Sequence, residues 1–213
     1  MNRPSADDVP PEPPGRASAA PPPAADPYER LLRGRVVVLG TALDDSAADA
    51  VVARLVQLEH QDPRREVSLV INSPGGSFDA MAAVHDTMRF VACDVETVCL
   101  GRAGGCAAVL LAAGAPGRRY ALPGARVYLE QPSAAEPVRG RATDLAVQAD
   151  ELVRIRTRME DMLACGTGRP RERVRADLER RTVLDAQGAL EYGLVDRVLT
   201  GHGTAAAGAP GAR

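Results

Sequence analysis

Short apolar runs alternate along the chain with longer segments in which apolar residues recur every three or four positions. The first pattern predicts buried strands and the second amphipathic helices. Arg35 to Leu39 reads as a strand. Asp44 and Asp45 offer caps for a helix that carries Ala48, Val52, Leu55 and Val56 on one face and stops by Pro63. Val67 to Ile71 reads as a second strand and Asn72-Ser-Pro-Gly-Gly76 as the turn after it. Ser77 can cap a helix with Ala80, Met81, Val84, Met88 and Val91 on one side. Val95 to Leu100 is a third strand, and Ala107 to Ala113 has the composition of a buried helix, with Gly114 at its C′ position. Arg126 to Leu129 predicts another strand, and residues 133–141 are a polar stretch. A long helix, roughly Thr143 to Cys165 and ended by Gly166, carries an apolar stripe of Leu145, Leu152, Ile155, Met159, Met162 and Leu163. Two short helices and a strand over Val195–Leu199 follow. Such alternation predicts one α/β domain.

The ends read differently. Residues 1–27 are rich in Pro, Ala and Asp and nearly free of large apolar side chains, so they are expected to be disordered. Residues 201–213 form an Ala/Gly-rich tail with the same expectation. The domain is thus expected over residues 28–200.

Composition adds exclusions more than assignments. The 213 residues suffice for a sizeable core, and 45% are hydrophobic. Aromatics make up only 3%, so Leu, Val and Ala must fill that core. All basic residues apart from histidine are Arg. The net charge of −2 gives no electrostatic reason to expect nucleic acid. No apolar run approaches the ~18 residues of a membrane span. Cys93, Cys99, Cys106 and Cys165 show no CxxC spacing and read as reduced thiols of a cytoplasmic protein. His60, His85 and His202 are too far apart to suggest a metal site.

The candidate chemistry lies in Gly101-Arg-Ala-Gly-Gly-Cys-Ala-Ala108, a glycine-rich turn between a strand and a helix. Hydrolases hold nucleophiles at such turns, where a strained residue is exposed beside backbone N–H groups that can bind an oxyanion. Together with Ile71-Asn-Ser-Pro-Gly-Gly-Ser77, Asp86-Thr-Met88, Leu122-Pro123, Arg126-Val127, Gln131-Pro132, Ala142-Thr-Asp144 and Glu191-Tyr-Gly-Leu-Val-Asp196, this segment resembles the proteolytic subunit of ATP-dependent Clp proteases. The resemblance runs from about Tyr28 to Leu199. It implies the Clp/crotonase superfold, a spiral of ββα units with a projecting handle at about residues 133–166. It also implies seven-membered rings, usually two stacked face to face, and no cofactor or metal.

The same resemblance implies the site. The nucleophilic serine falls at Gly105, the histidine base before Gln-Pro at Glu130, and the acidic member at Arg181. A slip that would give the acidic role to Asp185 spoils the match of Leu184, Ala186 and Ala189. The backbone donors of the oxyanion hole fall at Gly75 or Gly76 and at Cys106. Acyl transfer by this route needs a hydroxyl, a base and a group that orients the base. Glycine has no hydroxyl, a carboxylate with a reference pKa of about 4 is a poor substitute for imidazole, and arginine repels an imidazolium. The expectation is therefore a catalytically inactive homologue in a Clp-type ring. Its partners would be an active proteolytic-subunit paralogue and an AAA+ unfoldase, with no nucleic acid and no membrane.

Three alternatives stay open: an active serine endopeptidase, a crotonase-type acyl-CoA enzyme, and Cys106 as substitute nucleophile. The Asn72-Ser-Pro-Gly-Gly and Gln131-Pro132 signatures favour the Clp branch over the crotonase one. Glu130 and Arg181 have opposite charge, which predicts an ion pair in place of the histidine–aspartate couple. The competing arrangement turns Arg181 to solvent, or pairs it with Asp177 or Glu179.

Overall fold

The computed structural model describes residues 27–132 and 141–201. The two tails and residues 133–140, the first part of the expected handle, lie outside the described residues. At the start, Pro27, the last residue assigned to the tail, opens a short helix, α1 (Pro27–Arg33), a stretch of the domain to which the sequence reading gave no element.

The architecture is mixed α/β, as the alternation predicts. A largely parallel sheet runs β1 (Val36–Leu39), β2 (Val67–Ser73), β3 (Val95–Gly104), β4 (Arg119–Ala121), β7 (Arg197–Val198). The strand β5 (Arg126–Leu129) pairs with the far end of β3, and β6 (Thr182–Asp185) runs antiparallel to β5. Strand β3 is thus paired first to β4 and then to β5, so its C-terminal end reaches beyond the main sheet. The expected strand ended at Leu100. The extra residues to Gly104 carry no apolar run, and it is cross-strand pairing to β5 that extends them. Strands β4 and β6 are too short to stand out in the sequence; β6 leans on register with β5, with Val127 opposite Leu184.

The helices follow their caps. Asp44 accepts from Ala47 N–H and opens α2 (Asp45–Gln61); Ser77 accepts from Ala80 N–H and opens α3 (Phe78–Phe90). All five apolar residues assigned to the face of the second helix are buried. The face of α2 is rotated from the expected one: Ala48, Val51, Leu55 and Leu58 are buried, while Val56 is 46% exposed. The helix continues beyond Val56, and its buried stripe runs through Val51, Leu55 and Leu58. Helix α4 (Cys106–Ala112) is buried throughout. Gly114 does follow its C-cap, but no left-handed turn is needed there. A side chain at 114 would collide with Thr97 on β3, so close approach is the reason for glycine.

Helix α5 (Ala142–Thr167) is two residues longer at its C-terminal end than expected. Gly166 lies inside it, where a Cβ would press on the Ala112 carbonyl of α4, and Gly168 in left-handed conformation ends it. Its two halves differ. From 143 to 150 every residue is exposed, and Val147 and Val153 remain 68% and 58% exposed. Met159, Glu160 and Leu163 are completely buried. The helix is anchored at one end and leaves the globule at the other, as its charged composition suggested.

Two ionic clusters fasten that anchored end. Arg119 makes a bidentate pair with Asp196 (2.6 and 3.0 Å) and donates to the carbonyls of Gly166 (2.5 Å) and Gly193 (2.8 Å). One guanidinium thereby joins β4, the last turn of α5, the C-terminus of α7 (Ala186–Tyr192) and the approach to β7. Buried Glu160 receives Arg156 (3.3 Å) from its own helix and Arg171 (3.2 Å) and Arg175 (3.0 Å) from α6 (Arg171–Glu179). Burial pushes the Glu160 carboxyl up, but the hydrogen bonds and charges of these arginines outweigh it and hold the group below the usual glutamate range. Asp196 is lowered in the same way, with burial opposed by Arg119.

A carboxyl whose pKa is lower in the folded state stabilises the fold above its unfolded pKa and loses that contribution as pH falls through the folded value. Stability should therefore decline with acidification starting near the ordinary carboxylate pKa. The Glu160→Gln variant should be less stable at pH 7 by about 1.5–3 kcal/mol, the scale of hydrogen bonds to a charged group. Its stability should also depend less on pH below about 4.5. Urea unfolding at a series of pH values measures both.

Candidate functional site

The end of β2, the end of β3 and the end of β5 meet at one place. There Pro74, Gly75, Gly76, Gly105, Cys106, Glu130, Gln131, Pro132, Met159 and Arg181 line a cavity of about 260 Å³. All three positions expected for the triad, and all those expected for the oxyanion hole, are in this lining. Residues that are far apart in the chain reach it by different routes.

Gly105 sits at the strand-to-helix turn, with φ 45° and ψ −111°, and its N–H bonds to the Tyr128 carbonyl of β5 (2.9 Å). This positive φ is a strained setting for any residue with a Cβ. Space is not the obstacle. A Cβ built at 105 would lie 3.5 Å from Glu130 Cγ and 3.7 Å from Glu130 Oε1, ordinary van der Waals distances. The chain thus keeps a sharp elbow at this position while omitting the side chain, and Glu130 stands directly beside the vacant direction.

The glycine pair is placed by contact with the same elbow. A Cβ at Gly75 would run into the Gly104 carbonyl and lie 3.3 Å from the Cys106 nitrogen; a Cβ at Gly104 would run into the Pro74 carbonyl. These backbones touch directly. The Gly75 N–H is spent on Ser73 Oγ (3.1 Å), and the Gly76 N–H is directed at the Cys106 thiol, so both expected donors of the glycine pair have partners within the site. The turn is fixed by Leu43, whose N–H donates to the Gly75 carbonyl (2.9 Å) and whose carbonyl accepts from Ser77 N–H (2.8 Å). Nothing in the sequence pointed to Ser73 or Leu43. Ser73 is completely buried at the end of β2, and only the turn geometry brings its hydroxyl to Gly75 N–H.

Cys106 is buried at 3% exposure. Burial raises its thiol to about 11, hydrogen bonds from the Gly76 and Cys106 backbone pull it back in part, and the Glu130 charge raises it further. The expected lowering by its position at the start of a helix is outweighed by desolvation. A thiol raised in this way carries little thiolate at neutral pH.

The expected ion pair is absent: Glu130 and Arg181 are not within 4 Å, and neither has an ion-pair partner among the described residues. Arg181 follows α6 in left-handed conformation (φ 52°), its N–H bonded to Leu178 O (3.3 Å), and its side chain is exposed. Its neighbours are engaged elsewhere. Asp177 accepts from Arg173 (2.9 Å) and from the Tyr192 hydroxyl (3.0 Å), and Glu179 lies 3.7 Å from Arg156. Of the competing arrangements, Arg181 takes the turn to solvent. A solvated guanidinium gains only ~0–1 kcal/mol from an exposed pair, too little to draw the backbone round.

Comparison with known proteins fits this geometry. The Clp protease family model matches residues 20–202, nearly the whole chain. The chain belongs to the Clp protease family. An ATP-dependent Clp protease proteolytic subunit-like protein of Streptomyces coelicolor is 60% identical over 204 residues, covering 96% of both chains. ATP-dependent Clp protease proteolytic subunit 2 of the same organism is 50% identical over 175 residues (82% of this chain, 80% of the relative). Subunit 1 of Corynebacterium efficiens is 50% identical over 174 residues (82% and 83%). The Clp protease family is one of serine-type peptidases that form rings with paralogues and act with AAA+ partners. Of the two branches of the superfold weighed above, the match falls on the Clp one. No helix among the described residues is long and apolar enough to cross a membrane.

Two outcomes test this local geometry. The Gly105→Ser variant should fold but lose about 1–3 kcal/mol, the cost of holding a side chain in a sparsely populated backbone region; chemical denaturation measures it. Alkylation of the native protein with iodoacetamide should modify exposed Cys165 first and leave buried Cys93, Cys99 and Cys106 unmodified until the protein unfolds. Peptide mass mapping of a time course reads the order.

Proposed function

We propose that this chain is a catalytically inactive Clp proteolytic-subunit homologue that serves as a structural or regulatory member of a Clp-type ring for ATP-dependent protein degradation. One observation carries the reading. The elbow position from which a Clp-type serine would attack is Gly105, in a cavity that still contains the neighbouring positions, Glu130 and Arg181. Neither the hydroxyl nor the imidazole of the route is at its place, and loss of either alone costs on the order of 10⁶ in turnover in a well-studied serine protease. The positions that the resemblance assigns to the oxyanion hole, Gly75 or Gly76 and Cys106, remain together in the cavity lining.

The rest of the fold supports a role in assembly. In this reading the sheet and helices are the spiral of ββα units common to the superfold. The exposed part of α5 is the handle through which stacked rings meet, and an active paralogue and an AAA+ unfoldase in the cytoplasm complete the complex. An inactive member sets how many sites in a ring can cut.

The purified chain should hydrolyse neither short fluorogenic peptides nor an unfolded protein, and a fluorophosphonate probe should label no residue of the cavity. Stoichiometric labelling there, read by mass spectrometry, would show the inactive reading wrong. Adding Gly105→Ser should restore nothing, because base and orienter are also absent. In sedimentation, the chain should co-migrate with its active paralogue as an oligomer. If it stays monomeric both alone and in the mixture, the assembly role fails.

A further inference from the structure

A second and larger opening lies at the other end of the sheet, where β1, β2 and β3 begin. It is a groove of about 650 Å³, and the length of β2 separates it from the Gly105 cavity by about 20 Å. Four arginines line it against two carboxylates: Arg35, Arg64, Arg65 and Arg118, with Glu66 and Asp94. They come from the turn before β1, the loop after α2, and the loops that lead into β3 and β4. Arg35 is only 4% exposed, and its described partners are all neutral: the carbonyls of Leu58, Asp62, Arg65 and Glu66 and the Cys93 thiol. A buried cation on neutral acceptors is costly and leaves a positive potential at the surface above it. Arg118 is half-buried in the groove and bridges Glu66 and Asp94, the latter at 3.7 Å. Both of those carboxylates are more than half exposed, so the pairs hold weakly; the next residue, Arg119, is by contrast locked on Asp196. Arg64 is 91% exposed and only 3.7 Å from Asp62, and the exposed Arg65 side chain has no partner among the described residues.

We propose that this groove binds a chain of phosphate groups, free or carried by a nucleotide, with Arg118 as its fixed contact and Arg64 and Arg65 closing over it from the rim. Arg35 has its hydrogen bonds filled, so it adds charge from below and touches no ligand. Three features define the occupant. Guanidinium forks suit phosphate oxygens, and a phosphate chain presents oxygens on all sides, so arginines from separate loops can reach it together. The groove falls within the range of about 300–1,000 Å³ typical of small-molecule sites, which leaves room for several phosphates rather than one. Its lining contains no aromatic ring, so a nucleotide base has nothing to stack on. Glu66 and Asp94 compete with the ligand for Arg118, and binding must displace them. The site is separate from the Gly105 cavity, so the proposal holds whether or not the chain cuts peptides.

The test is calorimetric titration of the full-length chain with sodium tripolyphosphate, without magnesium and at constant ionic strength. Saturable binding of one tripolyphosphate per chain is expected. Inorganic monophosphate should bind more weakly by on the order of tenfold or more, since it cannot bridge the arginines. ATP should bind no more tightly than tripolyphosphate. The double variant Arg64→Gln/Arg65→Gln should weaken tripolyphosphate by on the order of tenfold, whereas Arg154→Gln, the same loss of charge on the exposed half of α5, should leave it unchanged. Glu66→Gln frees Arg118 and should tighten binding. No saturable binding, more than one tripolyphosphate per chain, equal affinity for monophosphate, markedly tighter binding of ATP, or equal losses in the Arg64/Arg65 and Arg154 variants would each overturn the proposal. If a variant fails to fold, the ligand series on the unmodified chain decides the matter.

Discussion

The site depends on a contact between backbones that have no side chains to keep them apart. Gly104 at the end of β3 lies against the Pro74 carbonyl, and Gly75 lies against Gly104. A methyl group at either position would force the two segments apart, and every other feature of the cavity follows from their closeness. It brings the Cys106 nitrogen next to the Gly75–Gly76 turn and points the elbow at β5, from whose end Glu130 projects. Ser73 and Leu43 then hold the turn from the other side. A pocket built in this way is a property of main chain and packing, so it persists when the reactive side chains are replaced.

This explains what could be read from the sequence and what could not. Helix starts were legible because a cap is a local device: Asp44 and Ser77 act within three residues of themselves. The convergence of Gly105, Glu130 and Arg181 was legible through the family resemblance, which carries three-dimensional information that periodicity lacks. The rotated face of α2 was not, because Val52 and Val56 obey the helical period as well as Val51 and Leu58 do; only the position of α3 chooses between them. Strands β4 and β6 were missed for a related reason, since three or four residues become a strand by virtue of their partners. The Glu130–Arg181 pair failed on geometry. Complementary charge was visible in the sequence, but the left-handed backbone at Arg181 that turns its side chain to solvent was not.

Charge is used in two ways in this domain. In the anchoring clusters it is closed and structural. Arg119 satisfies carbonyls at the ends of two helices besides its carboxylate, and Arg35, only 4% exposed, spends its guanidinium on the carbonyls of Leu58, Asp62, Arg65 and Glu66 at the end of α2. Such groups tie chain ends that helices leave without partners. In the cavity it is left open: Glu130 is half-buried, Arg181 is exposed, and the two are not paired with each other.

The clamp at Arg119 also has a mechanical meaning. Helix α5 has 26 residues and so extends about 39 Å, with its N-terminal half free of the globule. Its last turn is bound through Arg119 to the same strand and helix ends that flank α4, and Gly166 touches the Ala112 carbonyl at the far end of that helix. A load applied to the protruding tip acts on this fulcrum with the advantage of a long arm. The element on the short side of that lever is α4, whose first residue adjoins Gly105, so rocking of α5 would be felt as a displacement of the cavity wall.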